Sequence, residues 1–278
     1  MKGKVWYVTG ASKGLGLAIV KKLLKEGYRV AATSRNINDL QKAVGVASDA
    51  FLPLAVDLIN EDSVDRSIKE TVAHFGSVDV VVNNAGYGLT GSLEELSDGE
   101  IRQNFDVNVF GALNVIRKVM PFMRKQRSGH IFNIASVAGF TGAFPGFGSY
   151  IGTKFAMHGF SESLAAEVKP FDVKVTIVSP GYFRTEFLDV SLAVPKNEIA
   201  DYKLVREAEQ LHINDYNHNQ TGDPDKAANV LIEVALQKEP PLHLFLGKDA
   251  YQLADAKIKA VQQDLNAVKD LATSTGFE

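Results

Sequence analysis

VWYVTGASKGLGLAIVKKLLK, residues 5–25, decides the fold of this 278-residue chain. Residues 5–9 are a short apolar strand, and residues 17–25 carry a helical apolar pattern. Between them lies Gly10-Ala-Ser-Lys-Gly14-Leu-Gly16. Strand, glycine turn and helix together form a phosphate cradle: glycines let the backbone approach a pyrophosphate, and free N–H groups at the helix start point at the anion. Gly10, Ser12, Lys13, Gly14, Leu15 and Gly16 would line it. The spacing is G-x-x-x-G-x-G rather than G-x-G-x-x-G, and taken alone it is equally compatible with a tight turn.

Outward from this stretch, strands and helices alternate. Further strands are expected at residues 28–33, 51–56, 78–82, 130–135, 173–178 and 242–246. Residues 78–82 are continuously apolar, which suits the centre of a parallel sheet. Helices are expected at 63–75, over about 97–127 with an interruption near Phe110-Gly111, and from Asp223-Pro224 to about Lys238, where an N-cap precedes a first-turn proline. The alternation has no break, repeat or low-complexity linker. It predicts an α/β, doubly wound (Rossmann) seven-stranded parallel sheet flanked by helices, in one domain over 1–278. Residues 186–221 are weakly periodic and read as a substrate lid. Residues 248–270 carry a helical stripe that either packs on its own domain or meets a second copy.

The strand ends supply the remaining cofactor contacts. An acid about 20 residues past the glycines would bind a ribose 2′-hydroxyl. Ser34 and Arg35 stand near that place instead, and Lys13 adds a second cation in the glycine loop. Two cations attract a 2′-phosphate, so NADP (NADPH) is expected over NAD; the alternative is solvated surface charge. Asp57-Leu58 ends the third strand, where the carboxylate either meets an adenine amino group or caps a helix. Asn83-Asn84-Ala85-Gly86 lets the chain pass under a ribose, or simply turns. Asn108, amid apolar neighbours, is a buried structural amide or the anchor of a water.

The chemistry sits in residues 130–154, HIFNIASVAGFTGAFPGFGSYIGTK. Tyr150 and Lys154 are i and i+4 on one helix, hence side by side. Ser136 arrives from a strand end. A phenol has a pKa of about 10. An ammonium about 5 Å away, at an effective dielectric near 20, is worth roughly 3 kcal/mol, or about two pK units. Lys154 is therefore expected to draw Tyr150 toward a working range for proton transfer. The bland alternative is a surface pair, common for any Tyr-x-x-x-Lys. Phe140, Phe144, Phe147, Phe183, Phe187 and Leu188 either line an apolar substrate pocket or belong to the core.

Composition excludes other classes. The net charge of −3 provides no basic field for nucleic acid. The chain has no cysteine, hence no disulfide, thiolate metal site or cysteine nucleophile. No apolar run reaches the ~18 residues of a membrane span, and MKGKVWYVTG has no signal-peptide layout. A cytoplasmic protein is expected. Six histidines show no metal-ligand spacing, so no metal site is expected. No carboxylate pair stands out for hydrolysis.

Taken together, TGASKGLG, Asp57-Leu58, Asn83-Asn84-Ala85-Gly86, Asn108, Ser136, Tyr150-x-x-x-Lys154, and Pro180-Gly181 with Thr185 resemble the short-chain dehydrogenase/reductase family in its single-domain form. The likeness runs from Val5 to about Leu246 and is nearest the hydroxysteroid- and retinol-dehydrogenase-like reductases. It implies an NADP-dependent oxidoreductase interconverting a carbonyl and an alcohol on a hydrophobic small molecule. Ser136 would hold the substrate oxygen, Tyr150 would act as acid/base, Lys154 would hold the nicotinamide ribose, and Asn108 would anchor a proton-passing water. It also implies a homodimer or homotetramer. One departure is local: Ala135 stands where many members have a first serine, while Ser136 keeps the catalytic position. A catalytically silent NADPH-sensing protein is the competing reading. A sugar-nucleotide enzyme would need a larger C-terminal domain than this chain supplies.

Overall fold

The computed structural model describes residues 3–277. The outermost residues of the 1–278 expectation, 1, 2 and 278, lie outside the described residues. In chain order the first half comprises β1 (Val5–Val8), α1 (Gly14–Lys25), β2 (Arg29–Ser34), α2 (Ile37–Val44), β3 (Phe51–Ala55), α3 (Glu61–Phe75) and β4 (Val80–Asn83). A two-residue strand β5 (Gly88–Leu89), α4 (Asp98–Phe105), α5 (Gly111–Gln126) and β6 (Gly129–Ile134) follow. The second half holds α6 (Gly148–Val168), β7 (Val173–Pro180), β8 (Leu192–Ala193), α7 (Lys203–Gln210), α8 (Pro224–Ala235), β9 (His243–Leu246), α9 (Lys248–Ala267) and α10 (Lys269–Thr273).

Seven strands form one parallel sheet in the order β3-β2-β1-β4-β6-β7-β9. Both faces of such a sheet must be covered, and alternation along each strand feeds two cores. Trp6 and Val8 face a layer with Ile19, Leu23, Leu40 and Leu231 from α1, α2 and α8. Val5 and Tyr7 face Ile68, Val115 and Leu164 from α3, α5 and α6. The Tyr7 hydroxyl, buried with its ring, pairs with Ser67 Oγ at 2.7 Å.

Helix starts follow local chemistry. Asn36 and Asn60 cap α2 and α3 with their side-chain oxygens, Ser97 and Glu100 form a capping box on α4, and Asp223 caps α8 ahead of Pro224. The expected interruption of the long helix is a π-helical turn, Asp106–Phe110, that joins α4 to α5. α8 stops at Ala235, three residues before the expected end. Residues 186–221 hold a 3-10 turn, β8, α7 and a π-helical turn, Leu211–Tyr216. β8 pairs with β5 in a separate two-stranded sheet. In α9 only Ala250 and Ala254 are buried. Ile258, Val261, Leu265 and Val268 are exposed, so packing on the chain's own domain ends at Ala254.

Candidate active site

The chain leaves β3 on one side of β1 and resumes at β4 on the other. At such a switch point the loops beyond the strand ends part and leave a crevice. A cleft of about 1010 Å³ opens there. Its walls include Gly10, Ser12, Lys13, Gly14, Leu15, Ser34, Arg35, Asp57, Leu58, Asn84, Ala85 and Gly86. Ser136, Tyr150, Lys154, Pro180, Gly181 and Thr185 line it as well. Two expected site residues, Gly16 and Asn108, are not on the wall but directly behind it.

The glycine turn is locked by β4. Asn84 Nδ2 donates to the carbonyls of Thr9 (2.9 Å) and Gly10 (3.1 Å). Thr9 Oγ1 accepts from the amides of Asn84 (3.0 Å) and Ala85 (3.1 Å). Gly10 has φ +64°, and a Cβ there would fall 2.7 Å from Ala85 Cα. A Cβ at Gly16 would sit 2.4 Å from Asn84 Nδ2. Gly16 therefore serves packing of helix on turn. At the start of α1 the Gly14 amide donates to Glu186 Oε2 at 3.2 Å. A carboxylate thus already occupies a position that suits an anion.

Farther along the cleft, Asp57 is not the cap of α3, a place held by Asn60. Asp57 Oδ1 accepts from the Ile59 amide (3.2 Å) and shapes its own turn. Ser34 Oγ accepts from the Asn36 amide at 3.3 Å, and the Arg35 side chain is exposed beside it. Asp249 Oδ2 accepts from the Tyr182 amide at 2.7 Å, which fixes the loop after Pro180-Gly181. Thr185 Oγ1 is turned to the Phe187 amide at 3.3 Å.

Tyr150 and Lys154, on consecutive turns of α6, are both buried against the end of β6. Lys154 Nζ donates to the Ile134 carbonyl at 2.8 Å and lies 5.7 Å from the Tyr150 ring centroid. Burial pushes the Tyr150 phenol up to about 12, against a lowering hydrogen bond from Ser136. Burial pushes Lys154 down to about 7. The expected drop of the phenol by its neighbouring cation is therefore corrected. Both groups are removed from water, and desolvation is the dominant cause of each shift. The phenol is held in its proton-carrying form.

Asn108 is tied to the loop after β4 and to α6 by its side-chain amide. Its Oδ1 accepts from the Tyr87 amide (3.0 Å), and its Nδ2 donates to the Tyr87 carbonyl (2.9 Å) and Thr153 Oγ1 (3.1 Å). The π-helical turn aims this amide at the loop after β4, so it acts as a clasp between that loop and α6. Of the two expectations for Asn108, these partners match the buried structural amide.

The apolar end is lined by Phe144, Phe147, Phe183, Phe187, Leu188 and Leu192. Phe140 is not among them; it packs edge-on against Phe245 behind the wall (5.2 Å). Sequence reasoning missed three polar residues at this end, Tyr182, His212 and Gln220. The Tyr182 hydroxyl pairs with His212 Nε2 at 2.8 Å, and His212 Nδ1 faces the Ala208 carbonyl at 2.7 Å. A carbonyl only accepts, so Nδ1 carries the hydrogen and Nε2 accepts from Tyr182. Tyr182 directly follows Pro180-Gly181, a signal that was available. Nothing in the sequence marks His212 or Gln220.

One fastening of segment 186–221 is a buried carboxylate. Glu95 accepts from the amides of Ser92 (2.7 Å) and Ile199 (2.8 Å) and from Arg206 Nη2 (3.1 Å). Burial opposes its ionisation. The two N–H donors and Arg206 outweigh that burial and hold the carboxyl below the usual glutamate range.

The chain also matches known proteins over this architecture. The short chain dehydrogenase family model matches residues 4–193. An oxidoreductase, BOA17, of Botryotinia fuckeliana is 36% identical over 252 residues, covering 90% of this chain and 91% of the relative. Retinol dehydrogenase 8 of Bos taurus is 34% identical over 249 residues, covering 84% and 78%. A crystal structure of a short-chain dehydrogenase from Streptomyces avermitilis superposes with TM-score 0.89 at 34% identity, covering 98% of this chain and all of the other (100%). Structures of more distant neighbours hold NADH, NAD or NADP. From the glycine turn to the buried tyrosine and lysine on α6, this chain belongs to the short-chain dehydrogenase/reductase family of oxidoreductases.

Proposed function

We propose that the protein is an NADP-dependent carbonyl reductase or alcohol dehydrogenase acting on a small molecule with a hydrophobic body. The observation that carries this reading is the convergence of Ser136, Tyr150 and Lys154 in the same cleft as the glycine turn. The chain's own residues suit the cofactor. The turn leaves space that a side chain at Gly10 would fill, and Glu186 marks the anion position on α1. Lys13 and Arg35 lie on the cleft wall near Ser34, with no acid in the ribose position. These two cations favour a 2′-phosphate over a bare ribose.

When bound, the cofactor supplies or takes up a hydride at the substrate carbon. Every other task falls to the protein. Ser136 Oγ holds the substrate oxygen against the phenol. Tyr150 stays protonated at neutral pH because burial disfavours its anion, so it gives a proton to the oxygen as negative charge develops there, and takes one back in the reverse direction. Lys154, fixed by the Ile134 carbonyl, presents its amino group to the cleft beside the phenol. Asn108 keeps α6 in register with the loop through Tyr87 and Thr153. Phe144, Phe147 and Phe187 exclude water from the apolar end. Names among the relatives, a retinol dehydrogenase and a 3-ketodihydrosphingosine reductase, agree with a hydrophobic substrate. Assembly into a homodimer or homotetramer, with the exposed stripe of α9 as a contact, belongs to the same proposal.

The test is NADPH oxidation over a panel of hydrophobic ketones and aldehydes, together with direct NADPH titration of each variant. Turnover by the wild type, lost in Tyr150→Phe and Ser136→Ala while NADPH still binds, supports the enzyme. Binding without turnover on any carbonyl supports the sensor instead.

A further inference from the structure

We propose that His158, Glu162 and His243 form a binding site for a zinc-like divalent metal ion, about two helical turns from Tyr150. Tyr150, Lys154, His158 and Glu162 fall at successive i, i+4 positions of α6, so they share one stripe of the helix. The stripe begins in the cleft and ends at the sheet edge. There β9, the last strand, brings His243 across.

One ligand atom from each of the three residues lies within 4.8 Å of the other two. Glu162 Oε1 and His243 Nε2 are 3.9 Å apart. A tetrahedral zinc ion with bonds of about 2.1 Å holds its ligands about 3.4 Å apart. The gap of an ångström or so is closed by rotation of Glu162 and His243, whose side chains are 55% and 40% exposed. His158 is the fixed member. It is buried, stacked with His243 at 6.1 Å, and its Nε2 is paired with Ser179 Oγ at 3.1 Å. A ligand histidine steadied by a hydrogen bond from its other side is the usual second-layer arrangement.

The donor chemistry selects the ion class. Two imidazoles and one carboxylate suit zinc, nickel or copper, whereas magnesium and calcium prefer oxygen sets. The exposed side of the site leaves a fourth position for water.

The metal inference stands or falls separately from the proposed reaction, because its primary readout is binding.

The experiment is calorimetric titration of the chelator-treated full-length protein with zinc chloride, paired with thermal melts with and without zinc. Wild type is expected to bind one equivalent and to melt higher with zinc. His243→Ala and Glu162→Gln are each expected to weaken binding at least about tenfold and to abolish the melting shift. Both side chains reach solvent, so both variants should fold, as the zinc-free melts will report. Failure of the wild type to bind stoichiometrically up to millimolar zinc overturns the site. So does equal binding by the two variants, which would place the ion on other surface histidines.

Discussion

The two halves of the cleft are held by different physics. The cofactor half is the rim of a parallel sheet, with buried apolar strands on both sides and a glycine turn buckled to β4 through Thr9 and Asn84. The other half, residues 186–221, contributes few buried apolar side chains and is tied down by polar contacts, among them Glu95 with its three donors, Lys196 to Glu100 and Tyr202 to Glu94, besides the β5–β8 pairing. Hydrophobic burial sums over many residues and tolerates single losses. A polar latch concentrates its energy in a few contacts and fails when one is lost. The first half is therefore robust and holds the reacting groups. Under the proposed function, the second half is the adjustable part that encloses the substrate.

The largest effect should come from the chemical step. Tyr150→Phe removes the proton while leaving the buried ring, so turnover should fall by about 10²–10⁴-fold with NADPH affinity nearly unchanged, as steady-state kinetics and titration will report.

Next is the latch. Glu95→Gln removes the buried charge facing Arg206, which keeps Glu209 and Glu198, and should cost about 1–3 kcal/mol of the stability of residues 186–221. Limited proteolysis should then cut first within 186–221, and the substrate KM should rise more than the cofactor's. Cleavage in the sheet half at the same protein concentration would contradict the division.

The same contact predicts a pH response. Glu95 has a folded pKa below its unfolded value. Its contribution is present above the ordinary glutamate range and is lost as pH falls through the lowered folded value. Protease sensitivity of the lid should therefore appear on acidification before the far-ultraviolet circular dichroism of the sheet half is lost.

Smaller is the cofactor preference. Arg35→Asp replaces attraction for a 2′-phosphate by repulsion and should shift the NADPH-to-NADH affinity ratio by about 10–100-fold, the scale of 1.4–2.8 kcal/mol. Equal wild-type affinities for the two cofactors would remove the NADP assignment. The smallest expected effect is at the hinge between the halves. Glu186→Gln removes an exposed carboxylate that competes with phosphate for the Gly14 amide. Cofactor binding should tighten only a few-fold, since exposed charges are worth under about 1 kcal/mol.

The same division explains what the sequence disclosed. Apolar runs located the strands of the sheet within two residues, because burial on both faces writes itself into composition. Glycines, Asn84 and the Tyr150–Lys154 spacing were legible for the same reason: each is dictated by local geometry. The Glu95–Arg206 pair was not, because the partners are far apart in sequence and each is an ordinary charge alone. For Phe140 the sequence left pocket and core open, because an aromatic next to the site looks the same either way, and it packs against Phe245. Asn108 was recognised as a polar break, yet its partners Tyr87 and Thr153 come from other segments. His158 and Glu162 carry helical spacing, but His243 joins them only through the placement of β9 beside β7. The phenol's high pKa was missed because the calculation of its neighbour's charge ignored the burial of both.

The central claim is that Tyr150 protonates a substrate oxygen while hydride passes between the nicotinamide and the same carbonyl. It is tested most directly by incubating the protein with a hydrophobic ketone and NADPH deuterated at the transferring position, then locating the label in the alcohol by mass spectrometry. Wild type should place deuterium on the carbinol carbon, and Tyr150→Phe should bind the cofactor yet transfer almost none. Label transfer by Tyr150→Phe at the wild-type rate, or cofactor bound by wild type with no labelled alcohol from any carbonyl, would contradict it.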